Sequence, residues 1–371
     1  MQLLRRSALG TLVIGLCVGT VMLTNLTEAS ADSDTLKIGA LLCLSGDCAE
    51  WGNNSLKGMQ LATDEINQAG GVLGKQLSLV VQDSQDAGGG ARIISALREL
   101  LLNKNVHFVV GPTWSVGGLP IAPIIAQQRE LIVISPSVGV AKFNETSDNI
   151  FNLWPHDSYA SEGLARFAFA HGWKNIAIFS GNEPWVQQQG DTFEKELIRL
   201  GGRVTIKVEV NPNTTDISSE ALRIASSKPD AVFYADVYHM AQAARRLRDL
   251  RYRGAQLSIL MDDTRVHEAN GALEGTFFAS YPESKRSFQE AFQKRFGAKP
   301  GITADTAYDA VQLYAQVLNR ATSIAPRSII QDLLKTNYDG ASGQVVFDTY
   351  GGVVRAPSFF IVRGNEFQPV D

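Results

Sequence analysis

A serine follows one of the apolar runs of this chain, in the segment FVVGPTWSVGGLP at residues 108–120. Ser115 is a candidate nucleophile, because a G-x-S-x-G elbow exposes a serine on a sharp turn between a strand and a helix. Here, however, Thr113 replaces the first glycine, and the apolar run ends early, at Gly111. Pro112 cannot donate to a strand ladder, so the turn is too long for an elbow. The pattern favours a serine that starts a helix, where its hydroxyl caps the helix or helps the helix N–H groups to bind a carboxylate.

Other polar and aromatic residues lie where an α/β protein forms its ligand crevice. Ser135 and Ser137 end the next apolar run. Asp262 and Asp263 end a later one, where a carboxylate can pair with a ligand cation or cap a helix. Aromatic residues in loops either line the crevice at the switch point of the sheet or cover the edge of the core. The aromatic candidates are Trp51, Trp114, Trp185 and Tyr238.

No pattern in the sequence indicates a metal or a phosphate group. The five histidines are scattered without metal-ligand spacing. In AGGVLGKQ, Ala69 and Gln76 stand where a phosphate loop needs a glycine and a hydroxyl residue. We therefore expect no cofactor and no catalytic residue. The formal net charge of -4, without a long block of like charges, argues against nucleic acid or an anionic membrane surface as a partner.

The first thirty residues have the pattern of an export signal. Arg5 and Arg6 precede an apolar run over residues 8–23, and small residues Ala29 and Ala31 follow in an A-x-A arrangement. We predict that residues 1–31 form a signal peptide cleaved after Ala31, which places the mature protein in the periplasm. The alternative is an uncleaved anchor, since the run is near the lower length limit for a membrane helix.

Two cysteines remain after that cleavage, Cys43 and Cys48. In an oxidising compartment a pair this close, with a glycine between them, can close a small disulfide loop. The alternatives are two free thiols or a fragment of a metal site. Neither a His-x3-His pattern nor a second cysteine pair exists to complete a zinc set. The bridge would hold the segment before Trp51 in one shape.

The mature chain alternates apolar runs with helical patterns, twice over. LKIGALL, QLSLVVQD, VHFVVG and LIVISP are predicted strands in the first half, with helices at SLKGMQLATDEINQ and ARIISALRELLLNK between them. After a break at NIFNLWPHDSYAS the same rhythm resumes from residue 175. Continuous apolar strands alternating with helices predict parallel sheets covered on both faces. Two such lobes form a cleft between them at the carboxyl ends of their strands.

Taken in order, several segments resemble the periplasmic solute-binding proteins of the leucine/isoleucine/valine-binding type. The segments are LKIGALLCLSGDCAEWG, GMQLATDEINQAGGVLGKQLSLVVQDSQD, VVGPTWS, LIVISPS and TAYDAVQLYAQVL. The resemblance implies the type I two-lobed fold that serves ABC importers, with parallel sheets flanked by helices and a three-segment hinge near residues 152, 280 and 341. One lobe would be 32–152 plus 281–340, and the other 153–280 plus 341–371. Closure of the lobes over a ligand would follow from that hinge.

The resemblance also implies roles for site residues. Ser115 matches a serine that binds the ligand carboxylate, and Trp51 matches a residue that covers the ligand side chain. Ser137, Val138 and Gly139 match a segment that supplies backbone groups and a threonine hydroxyl, but Gly139 stands where the threonine is expected.

In the second lobe, Trp185 matches an aromatic residue that contacts the ligand in the family. Val237 or Tyr238 matches a further ligand contact. Asp263, or Asp262, matches the acid that pairs with the ligand ammonium. Because Gly139 removes a hydroxyl from the amino-acid site, the resemblance leaves the ligand open among an amino acid, an amide, a urea-like compound and an aromatic acid.

These observations predict an exported, monomeric binding protein without enzymatic activity, which delivers its solute to the membrane permease of an ABC transporter. The first alternative is a ligand sensor of the same fold that docks on a signalling receptor. The second is a serine hydrolase that uses Ser115.

Overall fold

The structure is a computed structural model that describes residues 35–86, 90–104, 106–281, 283–323, 325–364 and 366–370. The predicted signal peptide, residues 1–31, lies outside the described residues. Within the described part of the chain, no helix is both long enough and apolar enough to cross a membrane.

Strands and helices alternate along most of the chain. The strands are β1 Thr35–Leu42, β2 Gln76–Asp83, β3 Phe108–Val110, β4 Ile132–Ser135, β5 Ile150–Asn152, β6 Asn175–Gly181, β7 Arg203–Val210, β8 Ala231–Tyr234, β9 Ala255–Ser258, β10 Phe277–Ser280, β11 Asn337–Gly340, β12 Gly343–Val346, β13 Ser358–Arg363 and β14 Glu366–Val370. The helices are α1 Ala49–Gln68, α2 Gly90–Arg98, α3 Ser115–Ala126, α4 Asp157–Ala170, α5 Pro184–Arg199, α6 Ser218–Ser226, α7 Met240–Asp249, α8 Asp263–Glu268, α9 Arg286–Phe296, α10 Ala304–Arg320 and α11 Pro326–Leu334.

Two separate sheets organise these elements. The first has five strands in the order β2-β1-β3-β4-β5, all parallel. The second has seven strands in the order β14-β13-β10-β9-β8-β6-β7. It is parallel from β7 to β10, while β13 and β14 are antiparallel strands at one edge. The predicted class, α/β with parallel sheets flanked by helices, is confirmed.

The apolar runs of the sequence become buried strands because helices cover both faces of each sheet. In the first sheet, residues of β1 alternate between two cores: Ile38 packs with α1 and α10, and Leu41 packs with α2 and α3. The second sheet likewise separates a core that contains Phe179 from one that contains Ile178. These strands hold the loops at their carboxyl ends in place.

The helix α4 lies in the segment that the sequence pattern marked as a break. It begins at Asp157 and buries Leu164 and Ala168 against β6 and β8. Its pattern is weak, because serine, glycine and alanine are interspersed with few large apolar residues. Helix α1 also begins earlier than predicted, at Ala49 instead of Ser55.

The chain segment after α11 packs on the first lobe before it returns to the second sheet. The β11–β12 hairpin follows α11, and Val345, Phe347 and Val353 lie in the same core as β1 and α10. The second sheet resumes only at Ser358. Residues 341–353, which the resemblance assigned to the second lobe, therefore contact the first.

Candidate ligand-binding site

A small cavity of about 50 Å³ lies between the two sheets, where loops from the carboxyl ends of their strands meet. The first sheet and its helices contribute α1, the start of α3 and the loop after β4, whereas the second contributes the starts of α4 and α5 and the loops after β8 and β9. The lining residues are Trp51, Trp114, Ser115, Val116, Ser137, Gly139, Trp154, Asp157, Glu183, Trp185, Val237, Tyr238, Leu260 and Arg265.

The start of α3 is fixed by a buried carboxylate. The Trp114 N–H donates to Oδ2 of Asp86 at 2.6 Å, and this aspartate is fully buried. Burial raises the pKa of Asp86 to about 6, while hydrogen bonds from Ser84 and from the backbone favour its charged form. Ser115 is the first residue of the helix, and its Oγ accepts the Gly139 N–H at 3.2 Å. The serine therefore joins the start of α3 to the loop after β4.

The loop after β4 is held by hydroxyl groups. Oγ of Ser135 donates to the Pro112 carbonyl at 3.0 Å and accepts the N–H groups of Ser137 and Val138 at 3.1 and 2.9 Å. Oγ of Ser137 donates to the Thr113 carbonyl at 2.5 Å. The Val138 side chain points into the core beside α3 and not into the cavity. Ser137 therefore lines the cavity, but its hydroxyl proton is already donated to a backbone carbonyl.

Asp157, at the start of α4, is the most buried carboxylate of the cavity, with 7% of the residue exposed. Trp154 donates its indole N–H to Oδ1 at 2.9 Å, and Trp185 donates to Oδ2 at 2.7 Å. A Cβ atom on Gly139 would lie 1.9 Å from that same Oδ2. The glycine is thus required for Asp157 to approach the loop after β4, and the carboxylate occupies the space of the missing threonine side chain.

The environment of Asp157 opposes its charge overall. Burial raises the pKa of this carboxyl to about 6, although both indole hydrogen bonds favour the ionised form. A second carboxylate, Glu183, lies before α5 and accepts the Val186 N–H at 3.3 Å. Burial also raises the pKa of Glu183, with a further contribution from the charge of Asp236.

One aspartate fixes the loop after β8, which brings Val237 and Tyr238 to the cavity. Asp236 accepts the N–H groups of Tyr238 and His239 at 2.8 and 3.2 Å, and it also contacts Nδ1 of His239 at 2.7 Å. The His239 Nε2 in turn lies 3.1 Å from the Thr214 carbonyl. This network sets the direction in which Tyr238 leaves the sheet.

Aromatic rings form most of the cavity wall. Four of the five tryptophans of the chain line it. The ring centroids of Trp51 lie 6.1 Å from those of Trp114 and of Trp154. Tyr238 bridges the lobes, with its centroid 6.0 Å from Trp114 and 6.3 Å from Trp185. Rings from both lobes therefore contact one another around the cavity.

Asp262 and Asp263 lie beside the cavity in a wider groove. Asp262 caps α8 by accepting the Arg265 N–H at 2.8 Å, and it forms an ion pair with the guanidinium of Arg265. Asp263 is exposed as the first residue of that helix. Arg265 itself lines the cavity and donates from Nε to the Val237 carbonyl at 2.9 Å.

Residues 35–366 match the sequence model of one family, described as periplasmic binding protein. The chain belongs to the periplasmic binding protein family. Its relatives include the Leu/Ile/Val-binding protein BraC3 of Rhizobium johnstonii, 26% identical over 344 residues, with 88% of this chain and 91% of the relative covered.

Solved structures of binding proteins share the fold. A leucine-binding protein LivK of Thermotoga maritima has a TM-score of 0.81 at 21% identity, covering 91% of this chain and 97% of that one. A solute-binding protein of an ABC transporter from R. palustris, in complex with benzoate, has a TM-score of 0.79 at 17% identity, covering 91% and 95%. The predicted two-lobed fold and the predicted family are confirmed.

The structure of this periplasmic binding protein brings together most of the residues singled out in the sequence. Those that line the cavity are Trp51, Trp114, Ser115, Ser137, Gly139, Trp185 and Tyr238. Val138, Asp262 and Asp263 do not line it. Sequence reasoning missed Asp157 and Trp154 because both lie in NIFNLWPHDSYAS, whose pattern indicates neither a strand nor a helix. It also missed Glu183, although an acid directly before Pro184 is a signal for a helix start.

The geometry around Ser115 is that of a hydrogen-bonding group. The hydroxyl oxygen accepts a backbone N–H, and the family is one of binding proteins and not of enzymes. In the described part of the chain, no three His, Cys, Asp or Glu side chains are grouped so as to hold a metal ion.

Cys43 and Cys48 form a disulfide, with their Cα atoms 5.7 Å apart. Cys48 directly precedes α1, and Trp51 lies in the first turn of that helix. The bridge therefore restrains the chain just before a wall residue of the cavity.

Proposed function

We propose that this periplasmic binding protein holds a small amino-acid-like or amide-like solute in the cavity and delivers it to the membrane permease of an ABC importer. The observation that carries the proposal is the cavity itself, whose walls come from both sheets and their helices. A ligand held there contacts both lobes at once, so that its binding free energy favours the closed arrangement. A permease can then distinguish the loaded protein from the free one.

In this proposal the first lobe comprises residues 35–153 with 283–353, and the second comprises residues 157–281 with 358–370. The proposed hinge passes through residues 154–156, the segment near 280 and residues 354–357. The proposal sets the third crossing later than residue 341, because Val345, Phe347 and Val353 share a core with β1 and α10. Residues 1–31 would direct export and be removed, which places the protein in the periplasm.

Two kinds of polar group would hold the solute. The start of α3, with the hydroxyl of Ser115 and the first backbone N–H groups of the helix, is suited to a carboxylate or carbonyl oxygen. Asp157 and Glu183 are suited to N–H or cationic groups. In this proposal the role that the resemblance assigned to Asp263 passes to these two carboxylates, because Asp263 lies in the groove outside the cavity.

The volume of the cavity favours a compact solute. It is about 50 Å³, well below the roughly 150 Å³ of an engineered cavity that accommodates benzene. One relative is named as a Leu/Ile/Val-binding protein and one similar structure holds benzoate. Solutes of that size would need the aromatic wall to move, and a more compact amide or ammonium compound would need a smaller movement.

A thermal-shift screen of residues 32–371 against amino acids, amides, ureas, alkylammonium salts and aromatic acids tests the proposal. A ligand at 100 times its dissociation constant stabilises the folded protein by about 2.7 kcal/mol, which is readily seen. We expect a shift without turnover of the compound. Solute uptake by cells that lose the gene should fall in parallel. Absence of binding to every class, or hydrolysis that is lost in Ser115→Ala, would contradict it.

A further inference from the structure

We propose that the group held within the aromatic wall is an alkylated ammonium, so that the solute is a compact organic cation or carries one at one end. The inference rests on the proposed function, because it names the chemistry of the ligand in the same cavity. It is carried by three features: the aromatic rings around the cavity, the balance of charge on its lining, and the hydrogen bonds that its carboxylates already make.

The wall is built for contact with a cation that lacks hydrogen-bond donors. Trp51, Trp114, Trp154, Trp185 and Tyr238 line one small cavity and belong to both lobes. Ring faces attract cations through their quadrupole, tryptophan most strongly, and several rings around one charge are the usual way of recognising quaternary ammonium groups. A wall that had to hold only a neutral apolar group would not need so many indoles.

The charge on the lining is negative. Asp157 and Glu183 both lie on it, against one cation, Arg265. The guanidinium of Arg265 is paired with Asp262, which lies outside the cavity. The positive charge is therefore compensated within the protein, whereas the two carboxylates have no cationic partner among the lining residues. A cationic ligand supplies that partner, and an anionic one would be repelled.

Part of the acceptor capacity of the two carboxylates is already used, and one lone pair on each Asp157 oxygen remains beside the charge. Each oxygen of Asp157 already accepts an indole N–H, from Trp154 at 2.9 Å and Trp185 at 2.7 Å. Glu183 accepts the Val186 N–H through Oε2. A primary ammonium has three donors that all need acceptors. An alkylated ammonium has few or none, so it gains the electrostatic attraction without leaving donors unsatisfied.

The experiment is isothermal titration calorimetry of residues 32–371 with tetramethylammonium chloride, and with tert-butanol as a neutral molecule of the same heavy-atom count. Methylammonium chloride is the third probe, because it has the same charge but three N–H donors. We expect tetramethylammonium to bind at least tenfold more tightly than tert-butanol and more tightly than methylammonium. Equal affinity for the charged and neutral probes would overturn the proposal.

Three variants test whether tetramethylammonium binds in the cavity. Asp157→Asn removes the charge at nearly constant volume and should weaken tetramethylammonium binding at least tenfold. Glu183→Gln should also weaken it, and it serves as the second variant if Asp157→Asn fails to fold. Glu162→Gln is the control: this residue lies on the same helix, α4, with its carboxylate 3.0 Å from Arg166 at the surface. It should bind like the unmodified protein, and wild-type affinity in all three variants would contradict the proposal.

The result also separates this inference from the proposed function. Binding of an amino acid, an amide or an aromatic acid, with none of tetramethylammonium, would overturn the inference and leave the proposed function in place. Binding of tetramethylammonium by a protein whose loss leaves cellular solute uptake unchanged would support the inference and contradict the importer function.

Discussion

The cavity and the groove beside it lie in the same cleft but have opposite character. The cavity holds about 50 Å³ and is walled by aromatic rings, whereas the groove holds about 930 Å³ and is lined by charged side chains. Among the charged residues of the groove are Glu50, Asp262, Asp263, Arg286, Glu290, Lys294, Lys299, Asp305 and Arg355. Trp51 and Trp154 line both regions, and their rings form the partition between them.

Under the proposed function, burial, and not the mere presence of a carboxylate, decides which acids can select a ligand. Asp263 in the groove is exposed, and water and salt screen its charge. Asp157 in the cavity is 7% exposed and its pKa is raised by burial to about 6. A ligand that compensates the charge of Asp157 therefore gains more free energy than one that contacts Asp263.

The largest expected effect on ligand affinity comes from adding one methyl group to the cavity, which would test the contrast with the groove most directly. Gly139→Ala places its Cβ 1.9 Å from the Oδ2 of Asp157 and 2.8 Å from the Nε1 of Trp185. The carboxylate must move away from its indole donors, so we expect about a thirtyfold loss of affinity for tetramethylammonium, equivalent to about 2 kcal/mol. Calorimetry measures it. Wild-type affinity in this variant would show that Asp157 does not contribute to the site in its present position.

Acidification should weaken cation binding in the cavity. Because the pKa of Asp157 is about 6, the group is mostly ionised at pH 7.5 and mostly protonated at pH 5. A ligand that needs the ionised form loses about tenfold in affinity between these two values. Titrations of tetramethylammonium across this range test the expectation, with Asp157→Asn as the control, in which only the weaker dependence from Glu183 should remain. Unchanged or higher affinity for tetramethylammonium at pH 5 would show that the ionised form of Asp157 does not hold the cation.

Loss of the hydroxyl at the start of α3 should have a smaller effect. Ser115→Ala removes the acceptor of the Gly139 N–H and a polar group that faces the ligand. One neutral hydrogen bond contributes about 1 kcal/mol, which corresponds to roughly a fivefold loss of affinity for the best ligand of the screen. Ser115→Cys is a useful comparison of similar size. A loss greater than a hundredfold would mean that Ser115 carries the ligand almost alone.

The smallest effect is expected in the groove. Asp263→Asn changes an exposed carboxylate outside the cavity and should alter the affinity less than twofold, as is usual for a screened surface charge. The same calorimetric titration compares it directly with Asp157→Asn. A loss as large as that of Asp157→Asn would return the ammonium-pairing role to Asp263, as the family resemblance implied.

The fold and part of the site could be predicted from the sequence because they depend on local patterns. Buried parallel strands read as continuous apolar runs, and β2 has the bounds that the run QLSLVVQD predicted. Residues at the carboxyl ends of strands, such as Ser115 and Ser137, are brought into the crevice by the topology alone.

The rest depended on contacts between distant segments. Asp157 follows a segment without periodicity, and nothing local shows that two indoles separated in the chain will donate to it. Gly139 looked like the loss of a hydroxyl, whereas it leaves room for the Asp157 carboxylate. In the sequence, Asp262 and Asp263 end an apolar run as a ligand-binding acid should, but the strand β9 ends earlier, at Ser258. The short helix α8 turns the first into a cap and leaves the second exposed.

The concentration of tryptophan around the cavity has an optical consequence. Indole emission responds to the polarity and charge of its surroundings, and four of the five indoles of the chain line the cavity. Trp173, which follows the end of α4, packs instead near Phe167 and Phe277. The protein thus carries its own fluorescent reporter of occupancy, with one distant indole as the background, and needs no attached dye to follow the arrival and departure of its solute.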